Sequence, residues 1–430
     1  MVAVAVTSVV ITRLLGPAGI GTYAISAALL YVFTIIFELG ISQGTAYYVS
    51  RGEWRGHPLA RGVIGACVVL GGVGAAVALA AYSLIGYEVP GMTWPMAVAL
   101  SAALPFSLVW RIGPQAALAE ERFELFALFD SSALLLACPL SIGGALIGDA
   151  EGAVIGLAAA WVISGAVTAA WVLRRDRQEA EAKAPSGGIL AVAAFGSRAW
   201  GSELLQQLNL RADLILLGAI AGAAEGGVYS VALTTTSIAW ILTDAFAISA
   251  LPRSARLHAE SEREVLSSED RDASDARLMR HTILVIPVVA LFEAALLLIG
   301  IPLFYGDAFH RSIGLGFILL PGSLALGVGR AALAILLAHG YANRVLGVGL
   351  AVVPATVVAY LLVLPSAGAT GAAIVSSVSY VAYTVIGIAV LAATTGLSIR
   401  NLLLPGSSDL DDYRAGFGRG LAYAARLRRS

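Results

Sequence analysis

Four arginines stand where arginine is expensive. Arg111, Arg198, Arg211 and Arg330 fall within or at the ends of long apolar stretches. An ionised guanidinium at mid-bilayer costs roughly 3 kcal/mol even on insertion scales. Such residues face a bundle interior or a wet cavity, where their forked donors suit phosphate oxygens. For Arg111 and Arg211, snorkelling to an aqueous rim is an equal alternative. The stretch 188–220 is the most polar of these. At helical spacing Arg198, Ser202, Gln206, Asn209 and Asp213 share one stripe, with Glu203 and Gln207 beside it. That face cannot point at lipid. It either glues helices together through amide hydrogen bonds or lines a water-filled cavity, and an Arg with an Asp on one stripe favours the cavity. Glu38, Asp244 and Glu293 are further acids in apolar surroundings. Desolvation makes their ionisation conditional on a partner, so they and the stripe acids Glu203 and Asp213 suit proton or sodium coupling. Neutralising a neighbouring arginine is the equal alternative.

Other chemistries find no support. There is no nucleophile–base pair, no metal-spaced His or Cys cluster and no glycine-rich loop beside a lysine. His57, His258, His281, His310 and His339 are dispersed. Cys67 and Cys138 lie in apolar spans, which argues against a disulfide framework or a redox pair. No metal or organic cofactor is expected, only H+ or Na+, and a net charge of −1 gives no basis for nucleic-acid binding.

The elements that position these residues follow from composition. Hydrophobic residues make up 58% of the 430 and charged residues 13%, far from a soluble domain. The chain is an integral membrane protein, and long apolar runs without period-2 alternation select helices over a barrel. Twelve spans are predicted: 1–13, 19–50, 61–87, 92–114, 126–148, 152–173, 188–220, 226–251, 280–304, 312–338, 345–364 and 367–395. The uncharged run Val345 to Ile399 exceeds one crossing of about 20 residues and must turn back at Leu364-Pro365-Ser366-Ala367-Gly368. The first span is too short to cross alone, so a start trimmed by roughly a dozen residues is expected.

Orientation follows from basic residues, which stay cytoplasmic in short loops. Alternate gaps hold 21 of the 27 Lys and Arg, and the opposite gaps are short and almost free of base, with Arg311 the one clear exception. The C-terminus is thereby placed on the cytoplasmic side of the membrane. The polar segment 174–187, ending near Pro185-Ser186-Gly187, is expected to link residues 1–173 to residues 188–395, with 396–430 a cytoplasmic tail beside anionic lipid.

The two halves repeat each other. Gly16-Pro17-Ala18-Gly19-Ile20-Gly21-Thr22-Tyr23-Ala24 returns 206 residues later as Gly222-Ala223-Ala224-Glu225-Gly226-Gly227-Val228-Tyr229-Ser230, and the same offset lays Glu38 on Asp244. Matched halves are a transporter signature, with the substrate site between two similar bundles. The expected fold is all-α, about twelve transmembrane helices in two pseudo-symmetric six-helix bundles around a central cavity.

Arg13-Leu14-Leu15-Gly16-Pro17 leading into Gly21-Thr22-Tyr23-Ala24, then Glu38-Leu39-Gly40-Ile41-Ser42, resembles the opening of the polysaccharide-biosynthesis flippases, the Wzx-type transporters. Arg211-Ala212-Asp213-Leu214-Ile215-Leu216-Leu217-Gly218, then Gly227-Val228-Tyr229, is similar to the start of that family's second half. The wider superfamily includes multidrug and lipid II exporters. The resemblance implies a cationic cavity that passes an undecaprenyl-pyrophosphate-linked oligosaccharide outward by alternating access. Arg330, Arg198, Arg111 and Arg211 would then meet the diphosphate, and Gln206, Gln207 and Asn209 the sugar hydroxyls. Membrane lipids, and glycosyltransferases or a polymerase of the same pathway, are the implied partners.

Two other readings stay open. A multidrug antiporter shares the bundles but needs an acidic, aromatic pocket, whereas here intramembrane bases match the acids in number. An enzyme on lipid-linked sugars needs a sizeable outer loop, and the outward gaps are among the shortest in the chain.

Overall fold

A computed structural model of the chain describes residues 2–50, 57–84, 91–176, 188–239, 268–404 and 406. These are helical almost throughout and contain no strand. In hydrocarbon that is the expected solution, because each helix pairs its own backbone groups. The elements are α1 (Val2–Glu38), α2 (Ile41–Ser50), α3 (His57–Leu84), α4 (Trp94–Ala119), α5 (Phe123–Asp176), α6 (Gly188–Ala221), α7 (Ala223–Thr236), α8 (Ser268–Ala295) running into a π-helical end (Leu296–Tyr305), α9 (His310–Ala338), α10 (Ala342–Thr395) and α11 (Ile399–Leu403).

Three helices carry two spans each. α1 breaks at Gly16 (φ 63°), α5 at Gly148 and Asp149 (φ 49°), and α10 at Gly368 (φ 51°). With the arms taken separately, the described parts of the predicted spans are almost wholly helical, the third as far as residue 84 and the eighth as far as residue 239. Among the described residues eight helical stretches, three of them containing these breaks, are long and apolar enough to cross a membrane. Their outward side chains are apolar, with Val69, Ile147, Leu291 and Leu362 between 65% and 91% exposed. The connections are tighter than the sequence suggests. Pro365, Ser366 and Ala367 stay helical, and the chain reverses at Gly368 alone, where the missing Cβ permits positive φ. The sixth span stays helical to Asp176 rather than ending at 173. Residues 177–187 of the expected linker and most of the tail lie outside the described residues.

The fold divides into two compact units: residues 1–233, 298–315 and 353–376, and residues 234–297, 316–352 and 377–430. In the first, the repeat becomes a contact. Gly16 and its counterpart Gly222 both take positive φ, 63° and 91°. A Cβ on Gly21 would lie 1.7 Å from the Ala223 carbonyl oxygen, and one on Gly227 would lie 1.8 Å from that of Pro17. Each glycine thus meets the repeat partner of the residue the other meets, so the second arm of α1 and α7 touch backbone to backbone about a local twofold. Small residues are what allow helices in lipid to approach this closely. At the other end of the same span, a Cβ on Gly40 would lie 2.3 Å from the carbonyl carbon of Gly196 in α6. Trp110 and Trp161 pack edge to face at 4.8 Å in the core between α4 and α5.

Two arginines brace the ends of helices in this unit. Arg13 donates to the carbonyls of Phe304 (2.6 Å) and Leu303 (2.7 Å), two acceptors left over at the π-helical end. Arg311, the exception to the basic-residue pattern, makes a forked pair with Glu225 at 2.6 and 3.3 Å, and Glu225 also accepts from the Ala369 N–H. Glu225 precedes the eighth span. Its hydrogen bonds with Arg311 hold its carboxyl below the usual glutamate range. The clamp is therefore complete above the ordinary value of about 4.3 and is lost as pH falls through the lower folded value. As a partly exposed pair it contributes at most about 1 kcal/mol. Glu225→Gln should lower thermal stability in detergent by that much at neutral pH, with the gap to the parent closing below about pH 4.

In the second unit the spans are tied by hydroxyls and by a buried histidine–carboxylate contact. Thr384 Oγ1 donates to the Ala325 carbonyl at 2.8 Å, and the Ser377 hydroxyl accepts from the Gly322 N–H at 3.1 Å. His339 Nε2 lies 2.9 Å from Asp275 Oδ2, with both side chains 2% exposed.

Candidate functional site

The densest charge cluster grows from a helix break. α1 ends at Glu38 because Leu39 and Gly40 both take positive φ, 51° and 82°, and α2 restarts at Ile41. Glu38 thereby faces the N-terminus of a new helix, where free N–H groups and the helix dipole favour a carboxylate. Its Oε1 accepts from the Ser42 N–H at 3.2 Å and from the Ser42 hydroxyl. Its Oε2 pairs with Arg111 Nε on α4. The Arg111 NH2 group reaches the other way, to Glu203 Oε1 on α6 at 2.6 Å, and Gln43 donates its amide to Glu203 Oε2. Glu38 and Arg111 are 1% and 7% exposed, while the Glu203 side chain is 27% exposed.

Thus one head-group candidate and two coupling candidates meet as a single network across spans two, four and seven. Asp130 on α5 and Tyr31 on α1 are further electrostatic neighbours of Arg111. Arg211 stands over the Tyr31 ring, 5.8 Å from its centroid. Trp200, one turn before Glu203, donates Nε1 to the Ile35 carbonyl at 2.6 Å and ties α6 to α1 again.

A second polar cluster lies further along α6. Asp213 is fully buried, and its Oδ2 accepts from the Tyr229 hydroxyl (2.6 Å) and the Ser376 hydroxyl (3.2 Å), while Oδ1 accepts from the Leu214 N–H (2.7 Å). Tyr229 and Tyr360 each lie 2.8 Å from the Ser376 oxygen. Tyr23, the repeat counterpart of Tyr229, donates to Ser141 at 3.2 Å, but residue 7, the counterpart of Asp213, is Thr. The second half alone carries the buried acid. The predicted stripe on α6 is therefore not one open face. Gln206 and Gln207 are half-buried, whereas Asn209 and Asp213 are buried, Asp213 against the Tyr229 and Ser376 hydroxyls of neighbouring helices.

Glu293 and Arg330 belong to the second unit. Glu293, fully buried on α8, accepts from the Ala239 N–H at 2.5 Å. Arg330 is half-buried on α9 with Tyr383 as an electrostatic neighbour. Asp244 and the side chain of Arg198 lie outside the described residues. A groove of about 370 Å³ between spans two, three and four is lined by Leu30, Phe33, Met92, Leu100 and Leu104 and holds none of the predicted head-group residues. Among the described residues no group of three or more His, Cys, Asp or Glu could hold a metal. Sequence reasoning passed over Asp130, an acid inside the fifth span, and Gln43, Tyr31, Tyr229, Tyr360 and Ser376. The first carried the same signal as the other intramembrane acids. The rest are uncharged and ordinary in an apolar helix until folding brings an acid or an arginine to them.

A family profile described as polysaccharide biosynthesis protein matches residues 10–313. The chain belongs to that family. The chain also shares its fold with solved MOP superfamily transporters. One is a multidrug resistance MATE family transporter in an inward-facing conformation, at TM-score 0.68 and 14% identity, covering 92% of this chain and 94% of that one. Another is the lipid II flippase MurJ, inward closed, at TM-score 0.69 and 12% identity, covering 93% and 87%. A MOP superfamily transporter from Pyrococcus furiosus aligns at TM-score 0.60 and 14% identity, covering 92% of both chains. No curated protein matches the sequence. At these identities the neighbours fix the fold alone, that of a multi-pass membrane protein whose described residues are helical almost throughout.

Proposed function

We propose that the protein is an alternating-access flippase that carries an undecaprenyl-pyrophosphate-linked oligosaccharide from the cytoplasmic to the outer leaflet of the bacterial cell membrane, with its C-terminus inside. The family match over residues 10–313 carries this reading. A lipid II flippase of the same fold supports it. The expected working parts are a lobe of residues 1–173 and a lobe of residues 188–395. Arg330, Arg198, Arg111 and Arg211 attract the diphosphate, with Gln206, Gln207 and Asn209 on the sugars. No chemistry is performed on the cargo, so no catalytic residue or cofactor is required. Glycosyltransferases that build the oligosaccharide and a polymerase that consumes it are the expected partners.

The deciding test is chemical. Depleting the protein should trap a sugar-loaded lipid carrier on the cytoplasmic leaflet, measured by protection from an impermeant glycan-modifying reagent. An unchanged distribution between leaflets would sink the reading. Arg330→Ala should block export without loss of protein from the membrane, and full export by that variant would remove Arg330 from the head-group set.

Coupling is assigned to Asp213 first, because a fully buried carboxylate surrounded by hydroxyls is neutralised by a proton or a small cation. Glu38, Glu203, Glu293 and Asp244 are the other candidates. Asp213→Asn keeps the acceptor for Tyr229 and removes the charge. In proteoliposomes it should bind cargo but lose at least about tenfold of the transport driven by a pH or sodium gradient, about 1.4 kcal/mol of coupling. Gradient-driven transport at the parental rate would remove Asp213 from coupling.

One observation favours a cation antiporter instead: the Arg111 cluster holds two carboxylates for one guanidinium, with Asp130 close by. Efflux of organic cations from cells expressing the protein, with leaflet distribution of the lipid carrier unaffected, would establish that alternative.

A further inference from the structure

We infer that Glu203 is a built-in counter-anion for Arg111, a latch between α6 and spans two and four that the anionic head group of the cargo displaces. This rests on the reading of the cargo as a lipid-linked diphosphate. The two carboxylates on Arg111 are not equivalent. Glu38 is 1% exposed and anchored by the Ser42 N–H and hydroxyl at the head of α2. It is part of the helix break and cannot leave without undoing it. Glu203 has no such anchor. It is held by Arg111 at 2.6 Å and by the Gln43 amide, and at 27% exposure it is the member of the trio that an incoming anion can reach.

A phosphoryl group and a carboxylate offer a guanidinium the same kind of acceptor, so one exchanges for the other on the same N–H groups. A second cation waits nearby. Arg211 stands over Tyr31, the neighbour it shares with Arg111, and its buried Nε has no hydrogen-bond partner among the described residues. A diphosphate bridging Arg111 and Arg211 satisfies that orphaned donor, which Glu203 does not.

Displacement also has a mechanical consequence. Glu203 is the ion-pair link from α6 to Arg111 on α4, and Gln43 and Trp200 complete the seam to α2 and α1, beside the close approach of Gly40 to Gly196. Cargo that takes Arg111 from Glu203 releases α6 from that seam while leaving the Glu38–Arg111 pair in place. Loading and unlocking become one event, as population shift requires: the cargo contacts a group that is available in only one of the two states.

The test uses the full-length protein in detergent with undecaprenyl diphosphate as probe. Glu203→Gln keeps the side-chain shape but exchanges the charge-assisted bond with Arg111 for a weaker neutral one, which opens the latch and removes the competing charge, so it should bind the probe about tenfold more tightly than the parent. In fluorotryptophan-labelled protein, the Trp200 resonance of probe-free Glu203→Gln should match that of the probe-bound parent. Gln43→Leu, which loosens the hold on Glu203 from the other side, should shift affinity in the same direction and serves if the first variant does not fold. If the parent binds the probe but neither variant binds it more tightly, or the Trp200 resonance does not move, the latch is wrong and the flippase reading stands. If the parent binds no probe at all, the diphosphate reading fails, and the latch fails with it.

Discussion

Arg111→Ala is expected to abolish export and to strip most of the protein from the membrane. The guanidinium is 7% exposed and shared by Glu38 and Glu203. Removing it leaves two acids facing each other without a counter-charge, and truncating one member of a buried ion pair typically costs about 3–5 kcal/mol. That is a large part of the stability of a marginally stable fold. The effect separates into two roles. The triple variant Arg111→Met with Glu38→Gln and Glu203→Gln replaces the charges by groups of similar size, so membrane abundance and the thermal transition in detergent should return close to the parent. Export, followed by the leaflet distribution of the lipid carrier, should not return, because no cation remains at that position. Recovered export in the triple variant would reduce Arg111 to a structural role.

A single methyl group at the repeat contact is the second large effect. A Cβ at Gly21 would sit 1.7 Å from the Ala223 oxygen and 2.8 Å from the Gly227 nitrogen, and one at Gly227 would sit 1.8 Å from the Pro17 oxygen. These are backbone atoms that cannot rotate aside, so the helices must part. Gly21→Ala and Gly227→Ala should each cost at least about 3 kcal/mol, the upper end of ordinary overpacking. Gly65→Ala is the control, because no heavy atom lies within 4 Å of its Cβ position and alanine is the better helix former. Thermal unfolding in detergent should fall sharply for the first two and hold or rise for the third. Equal melting of all three would mean that the close approach of α1 and α7 is not a feature of the folded protein in solution.

Much of the fold was legible because lipid simplifies it. Apolar runs near twenty residues, separated by Gly, Pro or charge, had to be helices, and the described parts of the predicted spans are almost wholly helical. The turns were less legible. Pro365 reads as a break but stays helical, while Gly368, whose need for positive φ depends on where the next arm packs, makes the reversal. Of the candidate site, the individual charges could be found from their cost in hydrocarbon, but their partners could not. Arg111 and Arg211 carried the same signal, yet one is clasped by two acids and the other stands over a tyrosine. The equal alternatives for the acids also diverge by position: Glu38 and Glu203 neutralise an arginine, while Asp213 is met by hydroxyls.

The sequence by itself determined a helical membrane protein, the places where it crosses, the doubling of its halves and the handful of charges that had to be kept from lipid. Those properties are local or additive, since each residue's transfer cost and the helix period act without knowledge of neighbours far along the chain. Only the tertiary structure decided that Glu38, Arg111 and Glu203 form one network, that Gly21 and Gly227 meet across a local twofold, and that Asp213 rests on Tyr229 and Ser376. Pairing of that kind depends on which helix faces pack together. Helices in lipid choose partners by shape and by the few polar groups they must satisfy, a choice that hydrophobicity, nearly uniform along these spans, does not encode.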